Sequence, residues 1–179
     1  MGKKVTIISS SPRKNGNSDA LAEEFARGAT DAGHSVTKIN LRETELKFCK
    51  GCFYCSDHGR CVLSDGMNAL YDGIQNSDVL VFATPVYYYS VCGQLKTFLD
   101  RLNPLYGRKN RFKKVYLLAA SAEDDPSAMD GCIRDIRGWT ECFDQVTLDG
   151  VVYGTGVTDA GEIWKTSAPA QAYETGKSV

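Results

Sequence analysis

The sequence has no surplus of positive charge and no long apolar run. Its 179 residues include 21 Lys and Arg against 22 Asp and Glu, which gives a formal net charge of −1. Proteins that bind nucleic-acid phosphates need a surplus of cations, so we expect no nucleic-acid partner. The longest apolar run, residues 115–120, is far shorter than the roughly 20 residues of a membrane-spanning helix, so we expect no membrane partner.

Several familiar motifs are also missing. Gly-Lys-Ser occurs only at residues 176–178, and Gln171 stands where a Walker loop has its first glycine. Gly154 and Gly156 begin a G-x-G pattern, but Asp159 occupies the position of the third glycine. The sequence contains no G-x-S-x-G nucleophile elbow. It starts with Met-Gly-Lys-Lys and no signal-peptide pattern, so we expect a soluble, cytoplasmic protein.

Strand-like and helix-like segments alternate along the chain. Short apolar or β-branched segments predict five strands, at residues 5–8, 35–41, 79–83, 115–120 and 147–153. Apolar residues at helical spacing lie between them, as at Leu21, Phe25 and Ala29. This order predicts an α/β fold with a doubly wound, five-stranded parallel sheet. The length suits a single domain over residues 1–179, with ligands bound beyond the carboxyl ends of the strands.

A polar loop, residues 9–18, follows the first predicted strand and leads into the first predicted helix. It reads Ser-Ser-Ser-Pro-Arg-Lys-Asn-Gly-Asn-Ser. A helix N-terminus offers free backbone N–H groups and the positive end of the helix dipole, which together bind phosphate. The loop adds hydroxyl, amide and guanidinium donors, from Ser9, Ser11, Arg13, Asn17 and Ser18. The pattern predicts an anion site; the alternative is a polar turn in which Ser18 is only the N-cap.

An aromatic loop follows the third predicted strand. Residues 84–90 read Thr-Pro-Val-Tyr-Tyr-Tyr-Ser. Three tyrosines supply flat apolar surfaces with hydroxyl groups at their tips, on which a planar heterocycle can stack. The alternative is a β-prone segment that only covers the following helix. In the strand order 2-1-3-4-5 this loop lies beside the polar loop, at the switch point where such sheets bind ligands.

Four of the seven cysteines are concentrated in one segment. Cys49, Cys52, Cys55 and Cys61 lie in a long loop insertion at about residues 42–66. Their C-x2-C-x2-C-x5-C spacing can place four thiolates around an iron–sulfur cubane. Three alternatives stay open: a tetrahedral zinc site, free thiols that pack or contact another subunit, and a redox-active disulfide.

Together, the polar, aromatic and cysteine segments resemble the flavodoxin-like NAD(P)H-dependent FMN reductases, especially their iron–sulfur flavoprotein branch. The resemblance is dense from Lys4 to about Arg101 and thins afterwards. It implies the flavodoxin-like strand order 2-1-3-4-5. The sequence departs from the family at Ser10, where these proteins usually have glycine.

The resemblance also implies roles for individual residues. The FMN phosphate would be held by Ser9, Ser11, Arg13, Asn17 and Ser18. The isoalloxazine ring would be bordered by Pro85, Val86, Tyr87, Tyr88 and Ser90, with Ser121 at the ring edge. A [4Fe–4S] cluster would be held by Cys49, Cys52, Cys55 and Cys61.

The activity implied by the resemblance is that of a flavin enzyme. NAD(P)H would pass hydride to FMN, and the reduced flavin would reduce a small acceptor, such as a quinone or a free flavin, or pass single electrons to the cluster or to a ferredoxin. A homodimer or homotetramer is also implied. One alternative is a flavodoxin-type electron carrier without NAD(P)H turnover, although carriers steer through strong surface charge and this chain is nearly neutral. A weaker alternative is a flavin-dependent sensor.

Overall fold

Six strands form the sheet of the computed structural model, which describes residues 2–179. In chain order they are β1 (Lys4–Ser9), β2 (Ser35–Asn40), β3 (Val79–Tyr87), β4 (Ser90–Val91), β5 (Lys114–Ala120) and β6 (Thr147–Gly154). The spatial order is β2-β1-β3-β5-β6, and every neighbouring pair in this series is parallel. Counted without β4, this is the predicted order 2-1-3-4-5, so the predicted fold class is confirmed.

The two-residue strand β4 is the part of the sheet that the sequence did not predict. It pairs antiparallel with the end of β3, where Tyr87 faces Ser90 and Val86 faces Val91. The aromatic loop therefore folds back on its own strand as a hairpin before the next helix begins.

Helices cover both faces of the sheet. They are α1 (Asn17–Asp31), α2 (Tyr54–His58), α3 (Tyr71–Gln75), α4 (Gly93–Arg101), α5 (Asp130–Thr140) and α6 (Ala168–Lys177). None of those within residues 2–179 has both the length and the apolar character needed to cross a membrane.

Two apolar cores lie on opposite faces of the sheet because successive strand residues point to opposite sides. On one face, α1 and α6 pack over strand residues such as Ile7 and Val81. On the other, α3, α4 and α5 pack over residues such as Ile8 and Phe82. This arrangement confirms the doubly wound prediction.

The predicted loop insertion at residues 42–66 contains some regular structure. A 3₁₀ turn spans Leu41–Glu43, and the five-residue helix α2 lies between the second and fourth motif cysteines. Met67, Leu70, Tyr71 and Ile74 have helical spacing, but this segment is divided into a 3₁₀ turn, Gly66–Ala69, followed by α3. The turn begins where Asp65 accepts a hydrogen bond from the backbone N–H of Met67.

The direction of the crossover helices decides where the loops lie. Helices that connect parallel strands run antiparallel to them, so α1, α4 and α5 begin at the carboxyl edge of the sheet and end at its amino edge. The polar loop and the hairpin therefore lie at the carboxyl edge. The C-terminal ends of α4 and α5 lie at the opposite edge.

Candidate functional site

A pocket of about 210 Å³ opens at the carboxyl edge of the sheet, and we call it the carboxyl-edge pocket. It is formed by the segments that follow β1, β5 and β6 and by the end of β3. Its walls are Ser11, Arg13, Gly16, Asn17, Ser18, Pro85, Val86, Tyr87, Ala120, Ala122, Val157 and Thr158. The polar loop and the aromatic loop, which lie far apart in sequence, are thus brought together.

The N-terminus of α1 forms the polar end of this pocket. The N-cap residue Gly16 provides no side-chain cap, so N–H groups of the first turn remain free for a ligand. The hydroxyl oxygen of Ser18 is buried and has no hydrogen-bond partner among the described residues. A Cβ atom at Gly16 would lie only 2.4 Å from Ser11 Oγ, so glycine keeps this turn open. A free helix N-terminus with an unpartnered buried hydroxyl fits a bound anion.

Four of the five predicted anion donors have side chains with partners within the protein, including Ser11, whose Oγ donates to Arg13 O at 3.1 Å. Ser9 Oγ donates to Asp19 Oδ1 at 2.6 Å, and Lys38 Nζ lies 2.7 Å from the same oxygen. Asp19 is in the first turn of α1, so Lys38 offsets a negative charge close to the anion position. Ser9 therefore contacts the first turn of α1 and does not line the pocket.

Asn17 lines the pocket, but its side chain holds a loop in place. Its Nδ2 donates to Asp159 O at 3.0 Å, and its Oδ1 accepts from the N–H groups of Gly161 and Ile163, each at 3.2 Å. Arg13 contacts the same segment, because Nη1 donates to Thr158 O at 2.8 Å. The loop after β6 thereby closes one side of the pocket.

This loop after β6 contributes Val157 and Thr158, which no motif in the sequence indicates. The only signal was positional, since the loop follows a strand whose carboxyl end faces the expected ligand. Ser121 helps to hold it: its carbonyl oxygen accepts from Val157 N at 2.9 Å, and its hydroxyl donates to Glu123 O at 2.8 Å. Ser121 is thus placed behind the pocket wall, between the loops that follow β5 and β6.

The aromatic side of the pocket is a hairpin, residues 87–90, that we call the tyrosine hairpin. Tyr88 and Tyr89 both have left-handed backbones, with φ of 49° and 61°. Two-residue hairpin turns of this kind are usually built from Asn and Gly, because other residues are strained at positive φ. Tyr87 lines the pocket, whereas the Tyr88 side chain is fully exposed beside it.

The hairpin is fixed to α5 by one carboxylate. Asp135 Oδ2 accepts from Ser90 Oγ at 2.5 Å and from Val91 N at 3.3 Å. The Ser90 hydroxyl is therefore engaged with α5. A strained turn that is held from outside in this way is typical of functional sites.

Ser10, the departure from the family pattern, is accommodated without strain. Its φ is not left-handed, so its position does not require glycine. Its hydroxyl donates to Ala83 O at 2.8 Å, and Cys92 Sγ donates to Ser10 Oγ at 3.2 Å. The substituted side chain thus joins the start of the polar loop to β3.

The four motif cysteines line a second cavity, of about 570 Å³, that we call the thiol cavity. It lies between the thiol loop, which we define as residues 47–65, and the C-terminal ends of α4 and α5. A fifth cysteine, Cys142, lines it as well and was not predicted. Aromatic side chains complete much of the wall, from Phe53, Tyr106, Trp139 and Phe143.

The thiols share this cavity but are not gathered into a preformed metal site. Within residues 2–179, no three His, Cys, Asp or Glu side chains are grouped closely enough to hold an ion, and all seven cysteines are free thiols. Two sulfurs already accept N–H donors: Cys55 Sγ from Asn103 Nδ2 at 3.0 Å and Cys49 Sγ from Gly51 N at 3.4 Å. Such N–H···S bonds suit thiolates that bind a metal or an iron–sulfur cluster.

The two ends of the thiol loop meet at a buried ion pair. Arg101, the last residue of α4, donates from Nη1 to Asp65 Oδ2 at 2.5 Å and from Nη2 to Asp65 Oδ1 at 3.0 Å. Nη1 also donates to Lys47 O at 2.7 Å, and Lys47 N donates to Asp65 Oδ2 at 2.8 Å. Burial alone would raise the pKa of Asp65, but the bonds from Arg101, Lys47 and Met67 outweigh it and hold this pKa below its ordinary value.

The carboxyl-edge pocket and the thiol cavity lie at opposite ends of α4 and α5. The shorter of these helices, α4, has nine residues, which corresponds to a length of about 13 Å. The two sites of one chain are therefore separate.

Known proteins share both the sequence pattern and the fold. An iron–sulfur flavoprotein from Archaeoglobus fulgidus is 35% identical over 140 residues, which are 76% of this chain and 63% of that protein. An iron–sulfur flavoprotein from Methanosarcina thermophila is 28% identical over 157 residues, which are 87% of this chain and 82% of that protein. The chain thus spans less than two thirds of the length of the Archaeoglobus relative.

Among solved structures, an NAD(P)H:quinone oxidoreductase from Methanothermobacter marburgensis has the same fold. It matches with a TM-score of 0.76 at 16% identity, over 99% of this chain and 96% of that chain. The family model described as NADPH-dependent FMN reductase matches residues 3–155. Because that match covers most of the sequence, the chain belongs to the NADPH-dependent FMN reductase family.

Proposed function

We propose that this protein is an FMN-dependent oxidoreductase that takes hydride from NAD(P)H and reduces a small acceptor such as a quinone or a free flavin. The observation that carries the proposal is the carboxyl-edge pocket, where an uncapped helix N-terminus with an unpartnered Ser18 hydroxyl faces an aromatic hairpin. These two surfaces match the two chemically different ends of FMN, an anionic phosphate and a flat ring.

At the polar end, the phosphate would be held by Ser11, Ser18 and the first-turn N–H groups of α1, with Arg13 supplying positive charge. Ser9 and Asn17 would act behind this contact. Ser9 holds Asp19 beside Lys38, and Asn17 holds the loop after β6. The resemblance assigns all five residues to the phosphate. The hydrogen bonds favour direct contact for Ser18 and positioning roles for Ser9 and Asn17.

At the aromatic end, the ring would lie against Pro85, Val86 and Tyr87. Ser90 would hold the tyrosine hairpin through Asp135, and Ser121 would hold the loops at the ring edge. Apolar walls formed by Ala120, Ala122 and Val157 would keep water from that part of the pocket. Tyr88, which is fully exposed, would border the open side.

When bound, FMN supplies the ring that accepts hydride from NAD(P)H and returns electrons to the second substrate. No protein acid or base is needed for a hydride transfer, so the chain contributes binding, orientation and the electrostatic environment. Because exposed tyrosines border the open side of the pocket, we also propose a homodimer or homotetramer in which a second copy completes the site.

We further propose that Cys49, Cys52, Cys55 and Cys61 hold a [4Fe–4S] cluster. The support is that all four thiols line one cavity, that two of the sulfurs accept N–H donors, and that the similar proteins are named iron–sulfur flavoproteins. A cluster supplies one-electron storage, which would allow a ferredoxin to serve as a partner.

The hydride-transfer proposal is tested with FMN-loaded protein under anaerobic conditions. Addition of NADPH or NADH should bleach the flavin absorbance at about 450 nm, and a quinone or free flavin should restore it with turnover. Protein that binds FMN but is reduced by neither nucleotide would contradict the assignment. If reduced ferredoxin reduces that same protein, the chain is an electron carrier.

Ser18→Ala tests the anion contact. This change should weaken FMN binding roughly 10- to 100-fold, because it removes a hydrogen bond to a charged phosphate oxygen. It should leave the stability of flavin-free protein unchanged or slightly higher, because this hydroxyl has no partner there. The measurements are a fluorescence titration with FMN and urea unfolding without it.

Ser9→Ala is the matched control for that variant. Its hydroxyl is bonded to Asp19, so its loss should lower the free energy of unfolding of flavin-free protein by about 1–3 kcal/mol. The anion assignment would be wrong if Ser18→Ala destabilised the flavin-free protein and left FMN affinity unchanged.

The cluster proposal is tested by iron and acid-labile sulfide analysis after anaerobic reconstitution. Wild type should contain about four of each per chain. Cys61→Ser should lose most of both, whereas Cys142→Ser, in the same cavity but outside the motif, should retain them. One zinc per chain without sulfide, or no metal at all, would overturn the proposal.

A further inference from the structure

The buried pair of Arg101 and Asp65 has no role in the proposed chemistry, yet it is the most completely buried ion pair in residues 2–179. Both side chains are inaccessible to solvent, and the pair is bidentate. Burying two charges is unfavourable unless their geometry and remaining hydrogen bonds are well satisfied. The position of this pair at the base of the thiol loop indicates that the pair has a role in holding the loop.

Besides this pair, the thiol loop is held by a few hydrogen bonds: Lys47 Nζ to Ser64 O at 3.1 Å, Gly66 N to Glu45 O at 3.0 Å and Asn103 Nδ2 to Cys55 Sγ at 3.0 Å. Within residues 48–64 every residue is exposed or only half-buried, so apolar packing does not determine where the thiols lie. Arg101 is the buried side chain that bridges the loop ends, because it binds Asp65 on one side and the carbonyl of Lys47 on the other. Lys47 and Asp65 are also bonded directly, from Lys47 N to Asp65 Oδ2.

We propose that Arg101 is the positioning residue of the thiol loop: by joining Lys47 to Asp65, it keeps the four motif thiols over one cavity before any metal binds. Closing a flexible loop costs conformational entropy, and a loop closed in advance does not pay that cost when its ligand arrives. The expected effect of Arg101 on cluster binding rests on the proposed function, whereas its effect on loop closure does not depend on that function.

The charge and the remaining hydrogen-bond donor of Arg101 are a second feature of this pair. Its Nε–H is buried and has no acceptor among the described residues, so the guanidinium retains one unused donor. Burial alone would lower the pKa of Arg101, but the hydrogen bond to Asp65 raises it. Arg101 is therefore a permanent cation at the base of the thiol loop.

The test measures amide hydrogen exchange of full-length, FMN-loaded, metal-free protein. The double variant Arg101→Met with Asp65→Asn removes the pair without leaving a buried unpaired charge. Exchange across residues 47–65 should accelerate at least 10-fold, while exchange in α1 and β3 stays unchanged. Unchanged exchange in residues 47–65 would overturn the proposal.

Two further variants separate positioning from general stability. Arg101→Lys retains the positive charge but loses the bidentate guanidinium contact, so amide exchange in residues 47–65 should be intermediate between wild type and the double variant. This variant also provides the test if the double variant does not fold. Arg111→Met removes a pair of the same bidentate form with Asp78, which is partly exposed and lies outside the loop. It should leave loop exchange as in wild type. Equal loop exchange in Arg101→Lys and wild type would overturn the role of the bidentate contact.

The effect of Arg101 on metal binding is tested with Co²⁺ as a probe of the thiolates. Binding is monitored through the absorbance of the Co²⁺–thiolate charge-transfer band. The Co²⁺ affinity should fall at least 10-fold in the double variant. Arg101→Lys should have a Co²⁺ affinity between those of wild type and the double variant, and Arg111→Met should keep the wild-type affinity, a difference that a general loss of stability would not produce. Wild type that accepts no cluster, but whose loop exchange depends on Arg101, would overturn the cluster proposal and support the positioning of the loop.

Discussion

The interaction on which the candidate site depends is the uncapped N-terminus of α1. A helix that starts at the carboxyl edge of a central strand presents free N–H groups at the switch point of the sheet. Gly16 leaves that turn open, and Ser18 adds a buried hydroxyl that has no partner. The tyrosine hairpin, the loop after β6 and the Lys38 counter-charge are all arranged around this point. The family membership and this local geometry therefore support the same ligand.

The sequence predicted those features that depend on local pattern. Short apolar segments that alternate with helical patterns were enough for the five parallel strands, and the family resemblance supplied their order. The hairpin was not foreseen, since Tyr88 and Tyr89 lack the Asn or Gly that usually marks a two-residue turn. Its conformation depends on Asp135 in α5, a contact that no local pattern reveals.

Individual roles within the site were harder to predict for the same reason. Asn17 looked like an anion donor, but its partners lie in the loop after β6 and are known only from the fold. The cysteine spacing indicated a metal-binding loop, whereas Cys142 and Arg101 reach that loop from the ends of two helices. Long-range hydrogen bonds determine which polar side chains of these loops have partners within the protein.

The central claim is that the start of α1 captures the phosphate of FMN. The most direct measurement compares the affinities of flavin-free protein for FMN and for riboflavin, which has the same ring and no phosphate, by fluorescence titration. We expect FMN to bind at least about 100-fold more tightly than riboflavin, because several hydrogen bonds to a charged group are lost with riboflavin. Equal affinity for the two flavins would contradict the claim.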